Sequence, residues 1–193
     1  MSLLRFVSRF ASAAAAMSLL AAVPTLAAAQ DSVAGVWVPK HVQFLYQGFT
    51  SYYSCDGLRD KIRTMLEKLG AQDLKVREYS CINPSGPSLF PGVRVTMRVL
   101  VPASSAEAAK EKNAGPPVQA HWKQVVLMPE DAPIESQGNC ELIEQFKETF
   151  LPLFTTRHIN YESTCIPHEV TLGTHLSAEV LMPAPKEANG SSG

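Results

Sequence analysis

The sequence predicts an α+β protein: a duplicated β-α-β-β unit whose strands form a mostly antiparallel sheet, with two helices on one face and one disulfide per repeat. Three observations carry this expectation. Cys81 follows Cys55 by 26 residues and Cys165 follows Cys140 by 25. Both intervals carry apolar residues at three- and four-residue steps, the spacing of one helix face. The run VRVTMRVLVPA, Val93 to Ala103, returns as THLSAEVLMPA, Thr174 to Ala184. Self-similarity in a fixed order is the mark of an internal repeat. Amphipathic helices resemble one another by chance, so the cysteine spacing is the strongest part of the match.

Residues 1–29 read as a secretory signal peptide. Arg5 and Arg9 form a positive start, Phe10 to Ala28 is apolar, and Pro24 breaks the run near its end. Ala27-Ala28-Ala29 supplies the small-residue pattern, which places cleavage between Ala29 and Gln30. The competing reading is an uncleaved anchor, since Phe10 to Ala29 approaches spanning length. No cysteine follows the cleavage point until Cys55, which argues against a lipoprotein, and the two arginines are not adjacent, so the twin-arginine route is not indicated. Removing 29 of 193 residues leaves 164, with 15 basic against 18 acidic side chains and a net charge of −3. No later apolar run reaches the length of a transmembrane span. The expected location is periplasmic or secreted.

An oxidising compartment lets disulfides persist. Four cysteines allow three pairings, and the two matched intervals favour Cys55–Cys81 and Cys140–Cys165. Each bridge closes a loop worth roughly 3 kcal/mol in chain entropy.

The first repeat is expected over 30–103 and the second over 118–185. A strand at His41 to Gln47 precedes the first helix, and one at Val118 to Met128 precedes the second. Aligned on the helices, Leu58 falls on Leu142, Ile62 on Phe146, Leu66 on Phe150, Leu69 on Leu153 and Cys81 on Cys165; Cys55 falls one place short of Cys140. Met65 belongs to the same apolar face of the first helix. Gly70 suits a helix C-cap, and Pro152 should end or kink the second helix near Phe150 or Leu151. Strands follow at Leu74 to Ser80 and Arg157 to Thr164, then at Val93 to Val101 and Thr174 to Met182. Val93, Val95, Met97, Val99 and Val101 alternate with Arg94, Thr96 and Arg98, the period of a strand with one buried face. Residues 104–117 read as a linker with room for one short helix, and 186–193 as a disordered polar tail. The repeats could share one six-stranded sheet or form two three-stranded lobes, whose thin cores would explain a disulfide in each.

With 46% hydrophobic and 18% charged residues, the chain can bury a core. Lys+Arg 17 against Asp+Glu 18 gives a net charge of −1, which lacks the basic footprint of nucleic-acid binding. No G-x-S-x-G, S-x-x-K or C-x-x-C motif is present, and no serine, Ser54, Ser85 and Ser88 included, has a local catalytic partner. Five histidines, His41, His121, His158, His168 and His175, match no zinc spacing. His158, His168 and His175 gather near Glu162 and Glu169 on the second repeat's strands, where two of them could face each other. Glu141, Glu144 and Glu148 read as solvated helix glutamates rather than paired glycosidase acids. There is no glycine-rich phosphate loop; Pro84-Ser85-Gly86-Pro87 reads as a turn, and Asn189-Gly190-Ser191 is a glycosylation pattern in the tail. Catalytic, cofactor and metal residues are therefore expected to be none, and no cofactor is implied.

Phe44, Tyr46, Phe49, Tyr52 and Tyr53 cluster before the first helix; they and Trp37 and Trp122 are expected in core packing rather than on a ligand. Charge is uneven. Cys55 to Leu100 carries eight basic and five acidic residues, whereas Ser136 to Pro183 carries two and six. If both helices cover one sheet face, the other shows Lys75, Arg77, Arg94, Thr96 and Arg98: an ordinary solvated face, or one aimed at an anionic envelope protein or polymer. The functional expectation is an exported module with a structural or binding role in the bacterial cell envelope. The alternative is an exported hydrolase whose site assembles only in three dimensions.

Overall fold

A computed structural model of the chain describes residues 32–49, 51–81, 86–112, 114–128, 139–166 and 174–185. The signal peptide with its Ala29/Gln30 cleavage point, the Pro84-Ser85 part of the expected turn, His168, Glu169 and the 186–193 tail with Asn189 lie outside these residues.

The elements are β1 (Val33–Leu45), α1 (Cys55–Lys68), β2 (Gln72–Tyr79), β3 (Gly92–Pro102), α2 (Ala106–Lys110), β4 (Val118–Met128), α3 (Cys140–Thr149), β5 (Thr156–Glu162) and β6 (His175–Pro183). All six strands form one sheet in the order β2-β3-β1-β4-β6-β5, and every adjacent pair is antiparallel. A single sheet, not two separate lobes, is therefore the architecture. In each half the third strand lies between the first two. Among the described strands, backbone pairing between the halves is confined to Val33–Gly35 against Val118–Ala120.

β1 starts eight residues before the strand expected from the sequence, at Val33 instead of His41. Pro39 masks the early half of the pattern. Proline is accepted in a strand that has a free edge, and β1 has one, because its pairing with β4 stops at Gly35.

α1 opens on Ser54, whose hydroxyl accepts from the Gly57 N–H at 3.2 Å. It closes as the sequence requires. Gly70 takes φ +83°, its N–H donates to Glu67 O at 2.9 Å and the Ala71 N–H donates to Leu66 O at 3.1 Å. This pair of bonds is the Schellman stop, which needs a residue without Cβ strain. α3 ends at Thr149, and Pro152 sits in a 3-10 turn over Leu151–Leu153. There its missing N–H costs little.

Both expected bridges form. Cys55–Cys81 and Cys140–Cys165 have Cα separations of 6.1 and 5.6 Å, within the normal range, and no cysteine is free. Each ties a helix start to the end of the following edge strand or just past it.

One core joins the halves. Leu58, Ile62 and Leu66 of α1 and Leu142, Ile143 and Phe146 of α3 lie in the same apolar cluster as Val36, Val95, Val99, Leu176 and Val180 of the sheet. Phe44 of β1 meets Phe150 edge-on, with ring centroids 5.3 Å apart. The linker contributes α2, which packs over β1; Glu107 ion-pairs with Lys40 there, and Ala108 packs against the core.

The opposite sheet face carries a small second cluster. Leu100, Ala120 and Leu181 are buried in it, and Val33, Trp37, Val118 and Trp122 pack against them. Its parts match across the halves. Trp37 pairs with Leu100, as Trp122 pairs with Leu181. Ala103 N–H donates to Ala34 O, and Ala184 N–H to Gln119 O, both at 2.8 Å.

Candidate functional site

The sheet face away from α1 and α3 presents most of the chain's available chemistry. Strand alternation puts Lys75, Arg77, Arg94, Thr96 and Arg98 there, as the sequence predicts. All but the partly shielded Arg98 are exposed. The Arg94 guanidinium lies over the Tyr79 ring, 4.4 Å from its centroid, and His41 Nδ1 is 3.3 Å from Thr96 Oγ1. Basic residues thus share the outer half of the face with aromatic and hydroxyl groups.

Both edge strands carry a bulge where they leave the middle strand's register. In β2 it falls between Gln72 and Lys75, with Asp73 at φ 50°; in β5 it falls between Arg157 and Asn160, with His158 at φ 49°. Such left-handed backbone is uncommon away from glycine but is best tolerated by Asp, Asn and His, and bulges re-aim side chains. Each bulge residue reaches the middle strand. Arg98 Nη1 is 3.4 Å from Asp73 Oδ2, and His158 Nδ1 is 3.2 Å from Glu179 Oε2. The two contacts have opposite charge order.

Arg157 completes the second half's arrangement. Its Nε donates to Glu179 Oε2 at 2.5 Å, and its guanidinium lies 4.3 Å from the centroid of the Trp122 ring. The hydrogen bond from Arg157, ahead of the contact from His158, holds the Glu179 carboxyl below the usual carboxylate range. In the first half, Trp37 instead lines an open cleft of about 530 Å³, with Gln72, Asp73, Arg98, Val118 and Pro183 among its walls.

A second polar group joins the halves from inside. Glu141 is buried, at 7% exposure, not solvated as its helix position suggests. Its Oε2 accepts from the Phe49 N–H at 2.8 Å and lies 3.3 Å from the Tyr46 hydroxyl. The Tyr53 hydroxyl donates to Asn139 Oδ1. Gln145 clasps the Gln47 backbone with both ends of its amide, at 3.0 and 2.6 Å. Burial, ahead of neighbouring charge, pushes both phenols well above the ordinary tyrosine range. A Cβ on Gly48 would collide with the Tyr46 ring, 1.8 Å from its hydroxyl oxygen; glycine lets the chain turn across that ring. These contacts hold α3 against the end of β1, and Gln47, Phe49 and Gln145 also line a second open cleft there, of about 450 Å³, with Gln43 and Glu148.

The remaining sequence candidates disperse. Tyr161 donates to Glu144 Oε1 at 2.9 Å, and burial first raises its phenol to about 12. Glu148 is exposed, so the three α3 glutamates form no pair. His158 and His175 lie toward opposite ends of the β5–β6 ladder and do not face each other. No group of three His, Cys, Asp or Glu able to hold a metal occurs among the described residues. His175 Nε2 is 3.1 Å from Ser177 Oγ. That serine is buried, and His175 Nδ1 is buried with no partner among the described residues, so none of their carboxylates orients the ring as a catalytic triad requires. Phe49 and Tyr52 are exposed, at 61% and 60%, although core packing is expected of them; they lie in the loop that precedes α1. Trp37 and Trp122 occupy the second cluster, not the main core.

The sequence did not single out the cleft. Its walls come from β1, β2, β3, β4 and the end of β6, and only the strand order makes them neighbours. No helix among the described residues is long and apolar enough to cross a membrane. No family model, curated protein or solved structure matches the chain.

Proposed function

We propose that this is an exported, disulfide-stabilised binding module of the bacterial cell envelope, non-catalytic, that offers the uncovered sheet face to an anionic envelope polymer. The observation that carries the reading is the row Lys75, Arg77, Arg94 and Arg98 on one solvent-facing surface. The chain as a whole has a net charge of −1, so this row is a local feature and not a consequence of bulk charge. The two disulfides and the signal-like start support a periplasmic or secreted location after cleavage between Ala29 and Gln30. The matched strand order, bulges and hydrogen bonds of the halves support an origin by duplication of 30–103 and 118–185.

Dextran sulfate tests the binding reading. Titration calorimetry should show binding that weakens with added salt, as screening requires. Arg77→Glu with Arg94→Glu should lower affinity by about tenfold or more, since like charges then oppose the polymer. Unchanged affinity in that variant would overturn the reading. The alternative, an exported hydrolase with a site assembled only in three dimensions, has the Ser177–His175 contact as its one candidate among the described residues, with no carboxylate on His175 among them.

A further inference from the structure

We infer that the cleft beside Trp37 is a subsite for one ring of an acidic polysaccharide, a hexuronate, whose carboxylate is taken by Arg98. The inference rests on the proposed binding role of the open face and names its ligand class.

The second half shows what a filled version of the same arrangement contains. There the middle strand offers Glu179, the edge strand offers Arg157 directly opposite it, and the Arg157 guanidinium covers Trp122. A planar cation lies on the indole and is neutralised by a carboxylate beside it. In the first half the corresponding residues are Arg98 on the middle strand and Gln72 opposite it. Gln72 has neither the length nor the charge to copy the guanidinium contact, and a cleft of about 530 Å³ remains. The fixed charge is also inverted. Whatever enters beside Trp37 meets a cation where Arg157 meets an anion, so the complementary ligand carries an anionic group.

The other walls narrow the class. Gln72 presents an amide and Asp73 a carboxylate, which suit hydroxyl groups as donors and acceptors. Val118, Pro183 and Pro185 add apolar surface beside the tryptophan. An apolar ring face, several hydroxyls and one carboxylate are together the chemistry of a uronic acid. A bare polyanion has no use for Trp37. Arg98 is available for the exchange: its only contact with Asp73 is 3.4 Å long, and the Asp73 side chain is 70% exposed. A carboxylate can meet a guanidinium through two parallel hydrogen bonds, a better geometry than that contact. The cleft opens onto the arginine-bearing face, so the rest of a chain can run past Arg94 and Arg77.

The test uses the purified protein with oligomers of galacturonate and of mannuronate, a neutral glucose oligomer and inorganic polyphosphate. The chain has two tryptophans, so Trp122→Phe leaves Trp37 as the sole indole reporter. A uronate oligomer should change Trp37 emission and bind at least tenfold tighter than the neutral one. The double variant Gln72→Arg, Arg98→Glu transplants the second half's cover onto Trp37. It should lose uronate affinity at least tenfold with an unchanged melting temperature. Polyphosphate binding as tightly as uronate, with Trp37 emission unmoved, would leave the anionic-face reading standing and overturn the subsite. Binding of no anionic probe would overturn both. Full uronate affinity in the folded double variant would overturn the subsite alone.

Discussion

Trp37 lines an open cleft, whereas Trp122, at the matching place of the second half, lies beneath the guanidinium of Arg157. The backbone around them is the same: a leucine opposite on the middle strand, a bulge on the edge strand, and an ion pair from the bulge. Only the side chains differ. Arg98 and Glu179 exchange charge, as do Asp73 and His158 when the histidine is protonated, and Gln72 takes the place that Arg157 has in the second half. The first half therefore presents an uncovered basic surface, and the second an arginine already paired with its own carboxylate over the indole. Three side chains suffice because the sheet fixes every distance among them.

The sharpest way to break this comparison is to ask whether the halves stand apart at all. Ile62 and Phe146 occupy matching helix positions and both are fully buried in the shared core. Phe146→Ala should cost about 3–5 kcal/mol and Ile62→Ala about 2–5 kcal/mol. In thermal unfolding followed by calorimetry, each variant should still melt in a single transition. Two separated transitions would show that the halves fold independently.

The bridges come next. Replacing Cys55 and Cys81 with Ser, or Cys140 and Cys165, should each lower stability by about 3 kcal/mol, because the loops closed are nearly equal. Denaturant titrations of the two double variants measure this, and a large inequality would mean that native packing around one bridge differs.

A smaller effect tests the inner link between halves. Glu141→Leu strands the Phe49 N–H and removes an acceptor from Tyr46. The expected cost is about 1–3 kcal/mol. Glu141→Gln, which keeps an acceptor oxygen, should cost less, and urea midpoints compare the two.

The smallest effect is one of pH. The Glu179 carboxyl is held below its ordinary value of 4.5, first by the Arg157 hydrogen bond. A depressed carboxylate contributes stability above its unfolded pKa, and that contribution disappears as pH falls through the folded one. Acidification below pH 4.5 should therefore loosen Arg157 from Trp122. In a Trp37→Phe variant the Trp122 emission should change in that range, and Glu179→Gln should remove the transition. The sign is opposite to that of a raised group, so no such change is expected on the alkaline side.

Periodicity within a segment was readable from the residues alone. Leu58, Ile62 and Leu66 mark one helix face, Val93 to Val101 alternate, Gly70 stops α1 and Pro152 ends α3 at its predicted place. These signals are local: each depends on side-chain spacing or on what one residue's backbone permits. β1 was only half visible because Pro39 is judged locally as a breaker, and its acceptability depends on an edge that β4 leaves unpaired. Glu141 looked like any surface glutamate, since nothing in ELIEQF says that Tyr46 and the Phe49 N–H will close over it.

Among three possible pairings, the cysteine intervals and their matched helices favoured the two bridges that form, because local loop closure depends on chain connectivity. Alternation also put Lys75, Arg77, Arg94, Thr96 and Arg98 on one face, provided that both helices cover the other. Tertiary structure alone decided that β1 and β4 join the halves into one sheet, that α3 anchors on the end of β1, and that Trp37 is left uncovered beside Arg98 while Trp122 is capped. Those are contacts between residues far apart in the chain, and their energies depend on strand order and register, which no local pattern encodes.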